Sequence, residues 1–247
     1  MQFALYILLG FCAEMIDGTA GMAYGVSSNS FLRSVGVPSA VSSACVHAAE
    51  MFTTLASGIS HIKLKNVDKG LLKMLLLSGI PGGIIGAWLL ASFENRVLDI
   101  IIDLYLIIMG CVILYKGFRT ASTDRDFGAY AYPLGFIGGF TDAMGGGGWG
   151  PVVTSTLLAS GHEPRKTIGT VNTAEFLVTV AETTTLVVLL DSFSQYYSII
   201  AGLIIGGVIA APIAARLTQK IPVKAMLIAV GALVICLNIY KLIGHLG

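Results

Sequence analysis

The chain has 247 residues, of which 55% are hydrophobic and 12% charged, and its mean hydropathy is +0.83. Soluble domains carry about 25% charged residues, so this composition excludes a soluble globular protein. A net charge of +1 with dispersed basic residues gives no indication of nucleic-acid binding. Apolar runs close to the roughly 20 residues that span a bilayer recur along the chain, at 71–92, 97–115, 197–215 and 223–240. The composition therefore predicts one integral membrane domain.

The first half of the chain is predicted to contain four helical elements. A long element at 1–35 is interrupted by glycine, and helices at 38–60, 68–92 and 95–117 follow it. Pro38 suits the first turn of the second helix, where its missing N–H costs nothing. We assign residues 1–117 to a first transmembrane repeat and the polar stretch 118–126 to a cytoplasmic linker.

The second half repeats this order. A glycine-interrupted element at 127–160 is followed by helices at 164–190, 195–216 and 221–243. A shift of 125 residues aligns LGFCAEMIDGTAGMAYG from Leu9 with LGFIGGFTDAMGGGGWG from Leu134. The same register pairs VHAAE at 46–50 with VNTAE at 171–175. One ungapped register over most of each half indicates an internal duplication, so residues 127–247 form the second transmembrane repeat.

The distribution of basic residues predicts how the halves are oriented. If every element crossed the membrane, the 15 lysines and arginines would divide seven to eight between the two sides. If the first element of each half enters and returns on the same side, twelve share one side and only Arg33, Arg96 and Lys241 lie opposite. Such an excess marks the cytoplasmic face. The expected fold is all-α, with two inverted four-element repeats, each a re-entrant glycine-broken hairpin plus three transmembrane helices, and with both termini outside.

The broken elements indicate a transporter, because inverted repeats with discontinuous helices are the recurring build of secondary transporters. The segment DAMGGGGWGP is the strongest local signal, and its four glycines are Gly145, Gly146, Gly147 and Gly148. Glycine permits the positive φ angles that direct successive N–H groups into one concavity, and a following helix N-terminus adds a partial positive charge. We expect this turn and its weaker counterpart DGTAGMAYG to bind an anion. Close helix packing is the alternative explanation for these glycines.

Polar side chains near the two breaks complete the predicted substrate site. Asn172 and His47 are equivalent in the two halves and lie about two helical turns after Pro164 and Pro38. They would either donate to a substrate oxygen or tie down free backbone groups of the turns. The other predicted substrate contacts are Trp149, Thr170, Thr19, Gly21, Tyr24, Ser27 and Ser43. The sequence contains no motif for a metal or a cofactor, so we expect neither.

Carboxylates dominate the charges expected at membrane depth. Glu50, Glu175, Asp17 and Asp142 lie in or beside the broken elements, whereas every lysine and arginine lies in a connection or near a helix end. The four acids are candidates for coupling transport to protons, and hydrogen bonding within the hairpins is the alternative. Since no buried positive charge is expected, an anion would be held by backbone amides, hydroxyls and Asn172.

Several segments, taken in order, resemble the TauE/SafE family of sulfite and organosulfonate exporters. They are the paired glycine-broken first elements, GGGGWGP at 145–151, the P-x-x-x-x-G-T start from Pro164 to Thr170, and PGGIIGA at 81–87. The resemblance covers essentially the whole chain and implies a bacterial inner-membrane transporter that moves small oxidised-sulfur anions without ATP. This chain departs from the pattern in DGTAGMAYG, where the glycines are sparser.

The leading hypothesis is a secondary transporter that exports sulfite, sulfoacetate or other organosulfonates by alternating access, with proton coupling as a further hypothesis. The alternatives are an anion channel, a transporter of another small carboxylate and a cation transporter. An enzyme is not expected, because the sequence lacks motifs such as H-E-x-x-H and G-x-S-x-G. The expected partners are the small anion and membrane lipid, with no nucleic acid, and the expected state is a monomer or homodimer.

Overall fold

The structure, a computed structural model, describes residues 2–20, 22–93, 95–118, 128–160, 162–190, 193–217 and 223–246. These described residues are almost entirely helical and include no strand. The all-α architecture predicted from the sequence is therefore present. Apart from Phe118, the predicted linker lies outside the described residues.

The first half contains five helices because its first element is broken in two. They are α1 (Gln2–Ala20), α2 (Tyr24–Ser34), α3 (Ser39–Lys63), α4 (Lys69–Ser92) and α5 (Arg96–Phe118). Side chains fix the starts of the last two. The Asp68 carboxylate accepts hydrogen bonds from the Gly70 and Leu71 amides at 2.8 and 3.0 Å, and Asn95 Oδ1 accepts one from the Leu98 amide at 2.9 Å. Such N-caps satisfy amides that have no partner inside the helix.

The second half repeats this order, with a longer break in its first element. Its helices are α6 (Ala131–Gly145), α7 (Ser155–Ala159), α8 (Pro164–Leu189), α9 (Tyr197–Leu217) and α10 (Val223–Leu246). A π-helical turn at Gly150–Thr154 leads directly into α7, and short 3₁₀ helices at Gly128–Tyr130 and Phe193–Tyr196 precede α6 and α9. Both first elements are thus broken at the glycine-containing segments, as the sequence predicts.

Helix contacts between the halves are reciprocal. Helix α4 packs on α6, and its equivalent α9 packs on α1, which is the equivalent of α6. Both contacts bring backbones together at glycine: a Cβ on Gly82 would lie 2.3 Å from the Phe136 carbonyl oxygen, and one on Gly206 would lie 2.0 Å from that of Ile7. Small residues at such contacts are typical of helices packed in membranes. Each half is therefore completed by helices of the other.

Two further contacts join equivalent helices, and both pairs are antiparallel. Helix α3 packs on α8, with His47 near the start of α3 beside Glu182 near the end of α8, and Ser57 beside Asn172. Helix α5 packs on α10 in the same way, since Asp103 approaches His245 while Gly110 approaches Gly231.

Several helices are suited to a bilayer by length and composition. Three helical stretches in the described part of the chain are long and apolar enough to cross a membrane: Lys69–Ser92, Arg96–Lys116 and Leu227–His245. Helices α3 and α8 are also long, with 25 and 26 residues, but carry the polar side chains that face the two breaks. The most polar long helices are therefore the ones packed together inside the protein.

Candidate substrate and coupling site

The two helix breaks meet in the middle of the protein. A Cβ on Gly25 would lie 2.5 Å from the Gly147 Cα, and one on Gly147 would lie 2.1 Å from the Val26 nitrogen. Three residues in the breaks have positive φ angles: Ala23 at 100°, Gly146 at 63° and Gly147 at 152°. Only glycine adopts such angles freely. The glycines of the second break are therefore required by both backbone conformation and contact with the first.

An aspartate carboxylate faces the helix start that follows each break. Asp142 Oδ1 accepts hydrogen bonds from the Gly148 and Trp149 amides at 2.5 and 3.0 Å. Its equivalent in the first half, Asp17, accepts one from the Tyr24 amide at 3.3 Å. A carboxylate is the natural partner of unpaired helix N-terminal amides. The backbone amides that were predicted to bind a substrate anion therefore donate to an aspartate carboxylate in this conformation.

Predicted side chains from α3 hold the last turn of α6. Ser43 Oγ donates to the Ala143 carbonyl at 2.6 Å, and His47 Nε2 lies 3.2 Å from the Asp142 carbonyl oxygen. Asn29, which sequence analysis missed, donates to the Gly145 carbonyl. Because helix C-terminal carbonyls lack intrahelical partners, these contacts stabilise the break itself. The sequence signal for Asn29 was available: it is an amide side chain about one turn after the first break.

Some predicted contacts lie elsewhere. Thr170 Oγ1 accepts a hydrogen bond from the Asp68 amide at 2.8 Å, at the connection between α3 and α4. Asn172 donates to Ser57 Oγ at 2.9 Å, and Ser27 Oγ donates to the Ala23 carbonyl at 2.6 Å, within its own helix start. The Trp149 ring is fully buried, and its Nε1 donates to the Val171 carbonyl at 3.2 Å. These side chains therefore have structural partners in this conformation.

Five further predicted positions complete the comparison. The Tyr24 hydroxyl lies 3.4 Å from the Leu203 carbonyl oxygen, which joins the first break to α9. Gly145 and Gly148 both face Tyr105 of α5, since a Cβ on either would lie 2.2 Å from that side chain. The Thr19 side chain and Gly21 lie outside the described residues.

The four predicted acids surround a small cavity between the breaks. The cavity has a volume of about 10 Å³, and its lining includes Asp17, Glu50, Asp142 and Glu175. These are two pairs of equivalent residues, one member of each pair from each half. A cavity of about 10–15 Å³ holds one water molecule, so this conformation has no room for a sulfite-sized anion. At this size, the space between the breaks is closed to the proposed substrate.

A histidine and one further carboxylate, that of Glu182, lie beside this cavity. His47 Nδ1 is 3.3 Å from Glu50 Oε2 and 3.4 Å from Glu182 Oε2. His47 and Glu182 are completely buried. The ligand atoms of His47, Asp142 and Glu182 all lie within 4.8 Å of one another. Carboxylates this close in a low-dielectric interior require a neutralising proton or cation.

The hydrogen bonds of His47 indicate where such a proton would lie. A carbonyl oxygen can only accept, so His47 Nε2 must donate to Asp142. In a neutral imidazole, Nδ1 is then an acceptor. The Glu50 oxygen that faces it is also an acceptor, so a hydrogen bond between the two requires a proton on Nδ1 or on the Glu50 carboxyl. We call His47, Glu50, Asp142 and Glu182 the His47 cluster.

One buried positive charge corrects the charge distribution expected from the sequence. Arg33 lies near the end of α2, as expected of a basic residue, but its side chain is 0% exposed. It pairs with Asp103 at 2.6 Å and with Asp99 at 3.6 Å. The expectation of no buried positive charge was wrong because these α5 carboxylates compensate Arg33.

Comparison with known proteins identifies the family. The sequence model described as "Sulfite exporter TauE/SafE" matches residues 6–241. The chain belongs to the TauE/SafE family. This match confirms the resemblance found from the sequence motifs. The TauE/SafE chain is also 41% identical, over 251 aligned positions, to a Bacillus subtilis (strain 168) protein described as "Probable membrane transporter protein YtnM". That alignment covers 99% of this chain and 84% of the relative. No solved structure matches the chain.

Family and relative together indicate a membrane transporter rather than an enzyme. The apolar helices agree with a membrane location.

Proposed function

We propose that this protein is a secondary transporter that exports sulfite, sulfoacetate or a related organosulfonate by alternating access around the two helix breaks. The observation that carries the proposal is the meeting of two aspartate-capped helix N-termini at one closed cavity. Each N-terminus offers amides and a partial positive charge to an anion. An opened conformation would expose these amides, and the substrate would replace Asp142 or Asp17 as their partner. The direction of transport is inferred from the family description.

We further propose that the two repeats are inverted, and antiparallel packing of equivalent helices supports this. If α3 and α8 derive from one ancestral helix and run in opposite directions, the halves have opposite orientations. The connection from α2 to α3, the start of α5 and the end of α10 line one cavity, with Pro38, Arg96 and His245 among its residues. Asp68 meets Thr170 at another end of the molecule. Re-entrant first elements would produce this grouping of connections. With twelve of 15 basic residues on the opposite side, both termini would face outward in a bacterial inner membrane.

Proton coupling follows from the charges around the cavity. An anion cannot enter a low-dielectric cavity beside several ionised carboxylates without a large electrostatic cost. Protonation of Asp17, Asp142, Glu50 or Glu175 removes that cost, so protons and the anion should bind together. Asp142 Oδ2 and both Glu182 carboxyl oxygens have no hydrogen-bond partner among the described residues. A proton on the Glu182 carboxyl would supply a donor among these acceptors, which makes the His47 cluster our proposed place for protonation.

The proposed function is tested by ligand binding to the purified protein. Thermal stability is measured with sulfite, sulfoacetate, small carboxylates and sodium at matched ionic strength. We expect stabilisation by sulfur oxyanions that increases as the pH falls, because binding is linked to proton uptake. Glu175→Gln carries a permanently neutral group and should reduce this pH dependence while retaining anion binding. Anion-independent stability at every pH would reject the proposed function.

One observation favours a second candidate, a cation transporter. His47, Asp142 and Glu182 could together ligate a cation, and imidazole with carboxylates suits several divalent metals. The same stability measurements distinguish the two functions. Stabilisation by sodium or a divalent metal without an oxyanion would favour the cation transporter.

A further inference from the structure

A second, larger cavity lies at one end of the molecule, away from the helix breaks. It has a volume of about 470 Å³ and is bordered by the connection from α2 to α3, the connection from α4 to α5, and the end of α10. Its polar lining includes Asn95, Arg96, Asp99, Lys241 and His245. We call this space the basic cavity. Its volume is within the range of small-molecule sites.

The basic cavity collects the positive charges of its side of the protein. Arg33, Arg96 and Lys241 are the three basic residues that the sequence separates from the other twelve. Arg96 and Lys241 line the cavity. Arg33 lies behind it and hydrogen-bonds Ser39 Oγ, a lining residue, at 2.9 Å. Three scattered sequence positions thus converge on one site.

The acids nearby are already paired. Asp99 Oδ1 accepts a hydrogen bond from Ser39 at 2.5 Å and pairs with Arg33, and Asp103 pairs with Arg33 and lies 3.4 Å from His245. Among the described residues, Arg33, Arg96 and Lys241 therefore face two carboxylates. Arg96 and Lys241 form no salt bridge with a described carboxylate, and both lie on the cavity wall. Glu94, which precedes Asn95 in the sequence, lies outside the described residues.

The end of α2 is also neutralised at this site. Helix C-termini carry a partial negative charge that repels anions. Lys241 Nζ donates to the Arg33 carbonyl at 2.9 Å, in the last turn of α2, which offsets that charge. Helix α2 has 11 residues, or about 16 Å at 1.5 Å per residue, and its other end borders the closed central cavity. The basic cavity is therefore one short helix away from the proposed substrate site.

We propose that the basic cavity binds a small oxyanion between Arg96 and Lys241, as a peripheral site from which the anion reaches or leaves the centre. This proposal rests on the proposed transport function for its role, but not for the binding itself. Two of the three basic residues are specific to the first repeat, since Leu158 and Ile221 stand at the positions equivalent to Arg33 and Arg96.

Protection of Lys241 from acetylation tests this site without requiring transport. Purified protein in detergent is acetylated with and without sodium sulfate, with sodium chloride added to match ionic strength, and modified lysines are quantified by mass spectrometry. Sulfate should slow acetylation of Lys241 by about two- to fivefold, the size of one exposed ion pair. Lys69, exposed at the start of α4, should react at an unchanged rate.

Arg96→Gln supplies the decisive variant, because Arg96 is exposed and its removal leaves the core intact. Protection of Lys241 should be lost in Arg96→Gln and retained in Lys73→Gln, an exposed control on α4. Equal protection in wild type and Arg96→Gln, or no protection in either, would overturn the proposal. Flux without Lys241 protection would reject this site alone, whereas protection without flux would reject only the proposed transport function.

A lipid headgroup shares the chemistry of an oxyanion, so the measurement is repeated in vesicles. Phosphatidylcholine vesicles should preserve the effect of sulfate. Protection by phosphatidylglycerol vesicles, with no effect of sulfate in detergent, would overturn the proposal in favour of a lipid site.

Discussion

The two helix breaks occupy equivalent places in the two halves but are stabilised at different points. In the second half, the break itself is held: Asp142 accepts two amide hydrogen bonds, and α3 and α2 side chains bond the last turn of α6. Among the described residues of the first half, Asp17 accepts one longer bond, and α2 is held at its far end, where Arg33 is buried among acids. The two hairpins are similar in backbone, but their side chains differ. The second hairpin is held at its break, and the first is held at the end of α2.

The two halves also differ in the side chains that they place at equivalent points of the α3–α8 contact. His47 faces Glu182, whereas the equivalent residues Asn172 and Ser57 form an uncharged hydrogen bond of 2.9 Å. The His47–Glu182 contact therefore contains two ionisable side chains, whereas its equivalent, Asn172–Ser57, contains none.

The largest expected effect is at Arg33. Arg33→Met leaves Asp103 buried without its partner, and breaking one side of a buried ion pair costs about 3–5 kcal/mol. We expect a large loss of thermal stability, measured by size-exclusion chromatography after heating. Adding Asp103→Leu should restore most of it, because the fully buried carboxylate is then gone and the other acid paired with Arg33, Asp99, is partly exposed to solvent. Full stability of the single variant would show that α2 is not anchored by this pair.

The next effect concerns the backbone of the second break. Gly147→Ala places a Cβ against the Val26 backbone at a positive φ, so we expect a loss of about 2–4 kcal/mol from strain and overlap. Heating of the detergent-solubilised variant would measure it. Ala23→Gly is the matched change in the first break, where it relieves a φ of 100° and should be neutral or stabilising by up to about 1 kcal/mol. Equal losses of stability from Gly147→Ala and Ala23→Gly would contradict the conclusion that the two breaks have different backbone requirements.

The two capping aspartates should differ as well. Asp142→Asn weakens two amide hydrogen bonds and should cost about 1–2 kcal/mol, whereas Asp17→Asn weakens one long bond and should cost about half as much. Thermal unfolding at one pH compares them. A larger loss of stability from Asp17→Asn than from Asp142→Asn would show that the first break, and not the second, is the more strongly held.

The smallest effect on stability is expected from a change at the α3–α8 contact. The same change should have a clear functional consequence. Glu182→Gln removes a carboxylate from the His47 cluster without changing its shape. We expect little loss of stability but a weaker pH dependence of anion binding, measured by titration calorimetry at several pH values. Ser57→Ala, at the equivalent position, should leave that pH dependence unchanged.

Sequence reasoning recovered the parts of the fold that depend on local pattern. Hydrophobic runs located the long helices, and the duplication located both breaks, because DGTAGMAYG and DAMGGGGWGP share one register. It could not reveal what each polar group contacts. Thr170 and Asn172 lie in the first turns of α8, where the sequence predicts substrate contacts. Their partners are instead Asp68, in the connection from α3 to α4, and Ser57 of α3. Those pairings depend on how distant helices pack.

The buried arginine was missed for a related reason. Arg33 lies near a helix end, where a lysine or arginine normally reaches solvent or headgroups, and only the packing of α5 and α10 around it encloses the side chain. The position of Asn29, about one turn after the first break, could have been noted from the sequence, but its partner, the Gly145 carbonyl, lies 116 positions away in the chain.

Proton movement with a sulfonate tests the central claim most directly. Sulfoacetate is suitable because its sulfonate is a strong acid and carries no proton of its own. Proteoliposomes containing a pH-sensitive dye are given a sulfoacetate gradient, and the internal pH is followed. We predict proton movement in the direction of the sulfoacetate, absent from protein-free liposomes and reduced in Glu182→Gln. Sulfoacetate flux with no accompanying proton movement would contradict the account in which the anion enters only when carboxylates at the breaks are protonated.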